Sequence, residues 1–214
     1  MTNTLTSKAS GASPTTAGRG RRLPPERRRV QLLECALAVF ARRGLAGAHH
    51  AEIAAEAGVA VSTVFVYFPT REALVGAVLD EVERFLLDMA ERAHSATGPS
   101  AQIFRTHVAA FAASVDTHRD RARVWLDWST AIREDVWPRY LAFQERIIAI
   151  LAATIERGQR EGEISLKVDP EDDARLIVGA AHMITQMKFT DQPAAKVDHF
   201  IDTVLGAILG FVPH

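Results

Sequence analysis

The sequence predicts an all-α protein of about nine helices. Three observations carry that prediction. Apolar residues recur at helical spacing through most of the chain, and no stretch of useful length alternates with the period of a strand. Ala, Leu, Arg and Glu, all good helix formers, dominate a composition that is 48% apolar, 24% charged and only 7% aromatic. Gly, Pro and Asp mark the boundaries between the periodic segments. A chain of 214 residues can form one domain or two small ones, either with a real core.

Residues 1 to 18 are rich in Ser, Thr, Gly and Ala and predict a disordered tail, closed by Arg19-Gly20-Arg21-Arg22 and set off by Pro24-Pro25. From Glu26 the period becomes helical, with Val30, Leu33, Leu37, Phe40 and Ala41 on one face. Gly44 after Arg42-Arg43 is a stop signal. A short helix fits Ala51 to Ala57, ended by Gly58, and another fits Ser62 to Tyr67. Pro69 ends the latter, because proline disfavours the helical region for the residue before it. Thr70 is placed to cap a long helix that runs through Leu74, Val78, Val82, Phe85 and Met89 to Ala93. Further helices are expected over residues 100–116, 119–131, 136–161, 170–188 and 195–210. In the last two, Leu176, Ile177, Ala180, Met183, Ile184 and Met187 form one broad stripe. Phe200, Ile201, Val204, Leu205, Ile208 and Leu209 form another. Each stripe is either intrachain core or, in part, surface for a second copy in a four-helix interface.

Charge is unevenly spread. Residues 1–43 hold nine basic residues against Glu26 and Glu34, whereas the whole chain has a formal net charge of -1. A basic end on an acidic body fits a protein that meets a polyanion at one end; a solvated charged tail is the alternative. The single cysteine, Cys35, excludes an intramolecular disulfide framework and fits a reducing compartment. No run approaches the ~18 apolar residues of a membrane span, and the polar start has no signal-peptide core. A cytoplasmic, nucleoid-associated protein without membrane contact is expected.

Two short helices around a tight turn make a helix-turn-helix. Here Ala51-Glu52-Ile53-Ala54-Ala55-Glu56-Ala57 is the first, Gly58-Val59-Ala60-Val61 the turn, and Ser62-Thr63-Val64-Phe65-Val66-Tyr67 the second. Ala54 and Ala55 permit close packing, Gly58 can adopt a left-handed conformation, and Ile53, Val59, Val64 and Phe68 can pin the unit to Leu37 and Phe40. The start of the second helix would reach base edges in the major groove, where Ser62 and Thr63 can donate to phosphates or bases and Tyr67 to a phosphate. His50 is placed to cap the helix that begins at Ala51, and is counted with the DNA-contacting set. A purely structural helical hairpin is the competing reading.

Ala36-Leu37-Ala38-Val39-Phe40-Ala41-Arg42-Arg43-Gly44, Glu52-Ile53-Ala54-Ala55-Glu56-Ala57-Gly58-Val59 and Tyr67-Phe68-Pro69-Thr70-Arg71-Glu72-Ala73-Leu74 together resemble the TetR family of transcriptional regulators. Val124-Trp125-Leu126-Asp127-Trp128-Ser129, Arg133-Glu134-Asp135-Val136-Trp137-Pro138 and Gly162-Glu163-Ile164 extend the likeness, toward the branch formed by the quorum-sensing master regulators of vibrios. The resemblance implies a tail with a basic arm over residues 1–23, a three-helix DNA-binding domain over 24–70, and a helical ligand and dimerisation domain over 71–214. It implies a homodimer on double-stranded DNA with a palindromic operator, acting as a repressor or in both senses. It also implies that Arg19, Arg21 and Arg22 enter the minor groove, where narrow geometry concentrates negative potential. One position departs from that branch: Val66 stands where asparagine is usual. Valine offers only apolar contact, for instance to a thymine methyl, so a different operator is expected.

By the same resemblance Leu86, Met89, Trp125, Tyr140, Gln144 and Leu151 are candidates to line a cavity for a small apolar ligand; plain core is the alternative. Trp125, Trp128 and Trp137 are open to a place in the dimer or domain junction. Asp127, between two tryptophans, either faces solvent or pairs with Arg123. An enzyme is disfavoured. His49, His50 and Glu52 lack metal-ligand spacing, and His94, His107 and His118 are scattered along the chain. Cys35 has no evident base. No cofactor and no metal are expected. A helical ligand carrier without DNA affinity is the remaining rival, and the basic arm and the helix-turn-helix argue against it.

Overall fold

In the computed structural model residues 23–132 and 134–210 are described. They form α1 (Pro25–Gly47), α2 (His50–Ala57), α3 (Val61–Tyr67), α4 (Arg71–His94), α5 (Ser100–Thr117), α6 (Arg119–Ser129), α7 (Trp137–Arg160), α8 (Pro170–Phe189) and α9 (Ala194–Leu209), with no strand among them. Each expected helix has a counterpart whose ends agree to within a few residues. The basic arm at Arg19, Arg21 and Arg22 lies outside the described residues.

Helices α1 to α3 pack on one another at the N-terminal end, and α4 leads from them into a bundle in which α7 packs on α4 and α8, and α5 on α4, α8 and α9. A single apolar cluster runs through the molecule, from Leu32 and Phe40 in α1 through Trp128 and Leu151 to Leu209. The phase of α1 differs from the expected face. Leu32, Ala36, Leu37, Val39 and Phe40 point inward while Val30 is exposed. Three partners, α2, α4 and α6, pack on α1, so its buried arc is wider than a single stripe.

Local chemistry sets the ends. Gly44, at φ 75° and ψ 169°, takes the chain out of the helix, and one further turn follows to Gly47. Gly58 closes α2 at φ 64° and ψ 38°, with Val59 N–H donating to Ala54 O at 2.9 Å. An L side chain resists that left-handed conformation, which is why glycine stands there. Thr70 Oγ1 accepts from Ala73 N at 3.1 Å and caps α4 as expected. Asp169 Oδ1 accepts from Glu171 N at 3.1 Å and Asp172 N at 2.9 Å to cap α8. Such caps contribute about 1 kcal/mol each.

The two late stripes divide. Ile177, Ile184, Ile201, Leu205 and Leu209 are buried within the chain. Leu176 and Met183 are exposed, and Phe200 and Ile208 only partly covered.

Candidate nucleic-acid interface and ligand cavity

The helix-turn-helix is held from behind. Ile53 and Ala54 of α2, Val64 of α3 and Phe68 belong to the same buried cluster as Leu37 and Phe40, with Val59 partly covered. Ala55, expected at a helix contact, faces solvent, because it lies one position round α2 from Ala54. Ion pairs add registry: Arg42 to Glu56 at 2.7 Å and Arg43 to Glu52 at 2.8 Å, both joining α1 to α2. Arg71 reaches back from α4 and donates to Leu45 O at 2.5 Å and Ala46 O at 3.0 Å.

His50 does not cap α2. The cap position falls to His49, which makes no side-chain capping bond, and His50 is the first residue of the helix. Its ring is buried, donates from Nε2 to Phe68 O at 2.8 Å, and stacks on Phe65 with centroids 4.1 Å apart and planes 5° from parallel. The imidazole therefore ties the start of α2 to the end of α3. No spacing in the sequence announced that contact.

Of the α3 residues assigned to DNA, Ser62 is exposed, and Thr63 and Tyr67 are half-buried. Val66 is 75% exposed and Phe65, unassigned from sequence, 46% exposed. Thus α3 presents Ser62, Phe65 and Val66 to solvent from a helix whose opposite face is sealed by Val64.

A cavity opens inside the bundle, with about 620 Å3 of empty space counting its mouth. Leu86, Met89, Trp125, Tyr140, Gln144 and Leu151 all line it, joined by His107, Val108, Phe111, Phe143, Ile147, Ile177, Val178 and Ala181. Its apolar lining suits a small ligand, but the space free for an occupant is only about 70 Å3, so the walls must part to admit one. Polar groups are few. Gln144 makes no hydrogen bond among the described residues. Burial pushes the Tyr140 phenol up to about 12, with Ser129 opposing, so it stays neutral. Burial holds His107 down to about 4.

His94 and His107, far apart in sequence, meet here: His94 Nε2 lies 3.0 Å from His107 Nδ1, and His94 Nδ1 2.7 Å from Thr154 Oγ1. Burial, then the neighbouring His107, hold His94 down to about 3. Trp128 is core. It is fully buried, stacks on Phe143, and donates from Nε1 to Val136 O at 3.0 Å. Trp137 stacks on Tyr140. Asp127 faces solvent and does not pair with Arg123; its Oδ2 also accepts from Leu45 N–H at 2.6 Å, joining α6 to the end of α1.

The description "bacterial regulatory proteins, tetR family" matches residues 32–78, which run from within α1 into α4. The HTH-type transcriptional regulator LuxR of Vibrio harveyi is 35% identical over 188 residues, covering 86% of this chain and 90% of LuxR. This chain belongs to the TetR family. It is accordingly a DNA-binding transcriptional regulator. Two solved structures share the fold of this TetR-family regulator. The Bacillus subtilis regulator FadR in complex with stearoyl-CoA superposes with a TM-score of 0.70 at 19% identity, over 86% of this chain and 99% of its own. The ketosteroid regulator KstR2 of Mycobacterium tuberculosis superposes at 0.68 and 21% identity, over 87% and 96%. The family match reaches past residue 70 because Leu74, Val75 and Val78 at the start of α4 are buried with α1 in the common core. No helix among the described residues is long and apolar enough to cross a membrane.

Proposed function

We propose that this TetR-family regulator is a homodimer that represses transcription from a palindromic operator and is modulated by a small apolar ligand. The observation that carries the proposal is the solvent face of α3. Val66 is 75% exposed and Phe65, stacked on His50 from one side, is 46% exposed beside Ser62, an outward face suited to reading a major groove. Ser62 and Thr63 contact phosphates or base edges, Tyr67 a phosphate, and Val66 a thymine methyl. His50 acts from behind by holding Phe65. Arg19, Arg21 and Arg22 enter the adjoining minor groove. Because Val66 cannot form the hydrogen bonds of an asparagine, the preferred operator differs from that of the vibrio relatives.

The second copy is expected on α8 and α9, whose outward residues Leu176, Met183, Phe200 and Ile208 continue the apolar stripes beyond the intrachain core. Residues 1–23 act as the arm, 24–70 as the DNA-binding domain and 71–214 as the regulatory domain, in a cytoplasmic, nucleoid-associated protein. The ligand occupies the cavity lined by Trp125, Tyr140 and Gln144. Its effect reaches the DNA through α6, which carries Trp125 on the cavity and Asp127 on α1.

Selection of operators from random DNA by the purified protein tests the reading. A symmetric site is expected, with half-site centres about one helical turn (~34 Å) apart or a multiple of it. Affinity should fall steeply with salt. No enriched sequence, or an affinity flat with salt, overturns it.

A further inference from the structure

A second concavity lies between α1 and α6, outside both the recognition helix and the bundle cavity. It is open to solvent and encloses about 960 Å3 of empty space counting its mouth. Phe40 and Gly44 of α1 form one wall. Arg119, Arg123 and Asp127 of α6 form another, and Phe189 at the end of α8 closes the third side.

The two arginines are the telling feature. The Arg119 guanidinium lies 4.8 Å from the centroid of the Phe189 ring, and that of Arg123 5.6 Å. Neither forms an ion pair or hydrogen bond among the described residues. Arg121, on the same helix but another face, is paired with Glu34 at 2.8 Å and Glu81 at 2.9 Å. Two of the nearby acids are committed elsewhere. Asp116 pairs with Lys188 at 2.6 Å, and Asp127 accepts from Leu45 N–H. Two like charges one helical turn apart repel each other, a cost that an anion between them removes. Guanidinium forks match the planar oxygens of a carboxylate or phosphate, and they already rest on an aromatic face that a flat apolar group could extend.

We propose that this junction cleft binds an organic anion: a carboxylate or phosphate carried on an aromatic or similarly flat apolar body. The acidic group sits between Arg119 and Arg123. Asp127 lies one turn beyond Arg123 on the same cleft and is about 12 Å along the helix from Arg119 at 1.5 Å per residue, so the acidic group sits toward the Arg119 side, while Oδ2 of Asp127 is held by Leu45 N–H. The apolar body lies against Phe189 and Leu126. Because its walls come from both the N-terminal unit and the bundle, an occupant touches both. The proposal stands independently of operator choice and of the bundle cavity.

The test is titration calorimetry on the full-length protein at low salt, without DNA, using benzoate, phenyl phosphate, inorganic phosphate and the uncharged benzamide. Benzoate or phenyl phosphate is expected to bind, and benzamide to bind more weakly by about tenfold or more. Whichever of the two binds tighter identifies the acidic group, and inorganic phosphate should be weaker than phenyl phosphate. Arg119→Gln with Arg123→Gln should abolish binding without changing the melting temperature. Lysine at both positions should restore it in part, and Gln144→Leu in the bundle cavity should leave it intact. Benzamide binding as tightly as the anions, binding that survives the double glutamine variant, or no binding by either organic anion overturns the proposal. So does a double glutamine variant whose dimer dissociates, since the arginines would then face the second copy.

Discussion

Asp127→Ala removes the carboxylate that α6 offers to α1. Its Oδ2 accepts from Leu45 N–H at 2.6 Å, immediately after Gly44 has taken the chain out of the helix. A hydrogen bond to a charged group is worth about 1.5–3 kcal/mol net, and the lower end applies because Asp127 is exposed and water can replace part of the bond. A loss of about 1–2 kcal/mol is expected. For a chain of this length each kcal/mol lowers the melting temperature by about 2–4 °C, so thermal unfolding followed by circular dichroism should shift down by about 3–6 °C. Asp127→Asn keeps an acceptor without the charge and should lose about half as much. Arg123 makes no bond to Asp127, so Arg123→Ala should add to Asp127→Ala without coupling. A melting temperature within a degree of the parent, or a coupling with Arg123 above about 0.5 kcal/mol, would refute the assignment.

Gly58→Ala places a side chain at φ 64° with no atom near enough to clash, so only the backbone cost applies, about 1 kcal/mol by chemical denaturation. His94 and His107 are held neutral in the fold, with pKa values of about 3 and about 4. Their folded pKa values are depressed below the unfolded value of about 6.5, so the unfolded chain binds more protons below that pH. Stability should therefore be flat above about pH 6.5 and fall toward pH 4 by about 1 kcal/mol per pH unit for each ring. His107→Phe should halve that slope, and a flat profile in the parent would sink the reading. On the selected operator, Tyr67→Phe should weaken binding by about 1 kcal/mol if its hydroxyl meets a phosphate. Arg21→Ala with Arg22→Ala should reduce the salt slope by about two, and an unchanged slope would remove the arm from the interface.

The fold was legible because its boundaries are written in local chemistry. Gly44, Gly58, Pro69, Thr70 and Asp169 act on their own neighbours, and the helices begin and end where those residues require. The cavity was reached by resemblance rather than by periodicity. Leu86, Met89, Trp125, Tyr140, Gln144 and Leu151 fall at helical spacing as core residues do, and nothing in that spacing says that the helices stand apart. What stayed hidden depends on long-range register. His50 reaches Phe65 and Phe68, His94 reaches His107 and Thr154, and Asp127 reaches Leu45 across 82 positions. For His50 and Asp127 the sequence supplied a polar residue with a plausible local role, and for His94 none; tertiary packing supplied a distant partner in each case. Val30 failed for a related reason: a helix packed by three neighbours has a wide buried arc, and a single-face reading misplaces its phase.

Helix α6 is where these distant contacts converge. Trp125 lines the cavity, packing edge-on against Phe111 and close to His182. Asp127 is two residues on, about 200° round the helix at 100° per residue, and faces α1. Trp128 between these faces is fully buried and anchored through Nε1 to Val136 O. A helix of 11 residues so held cannot relax one face independently of the other. A shift of the α6 backbone at Trp125 would carry Asp127 with it, and so strain the hydrogen bond to Leu45 at the end of α1. Arg71 grips the same Leu45–Ala46 turn from α4, so the turn is held from two sides by groups outside the helix-turn-helix. The orientation of α3 is therefore set by contacts at the base of the bundle, as well as by its own core at Val64 and Phe68.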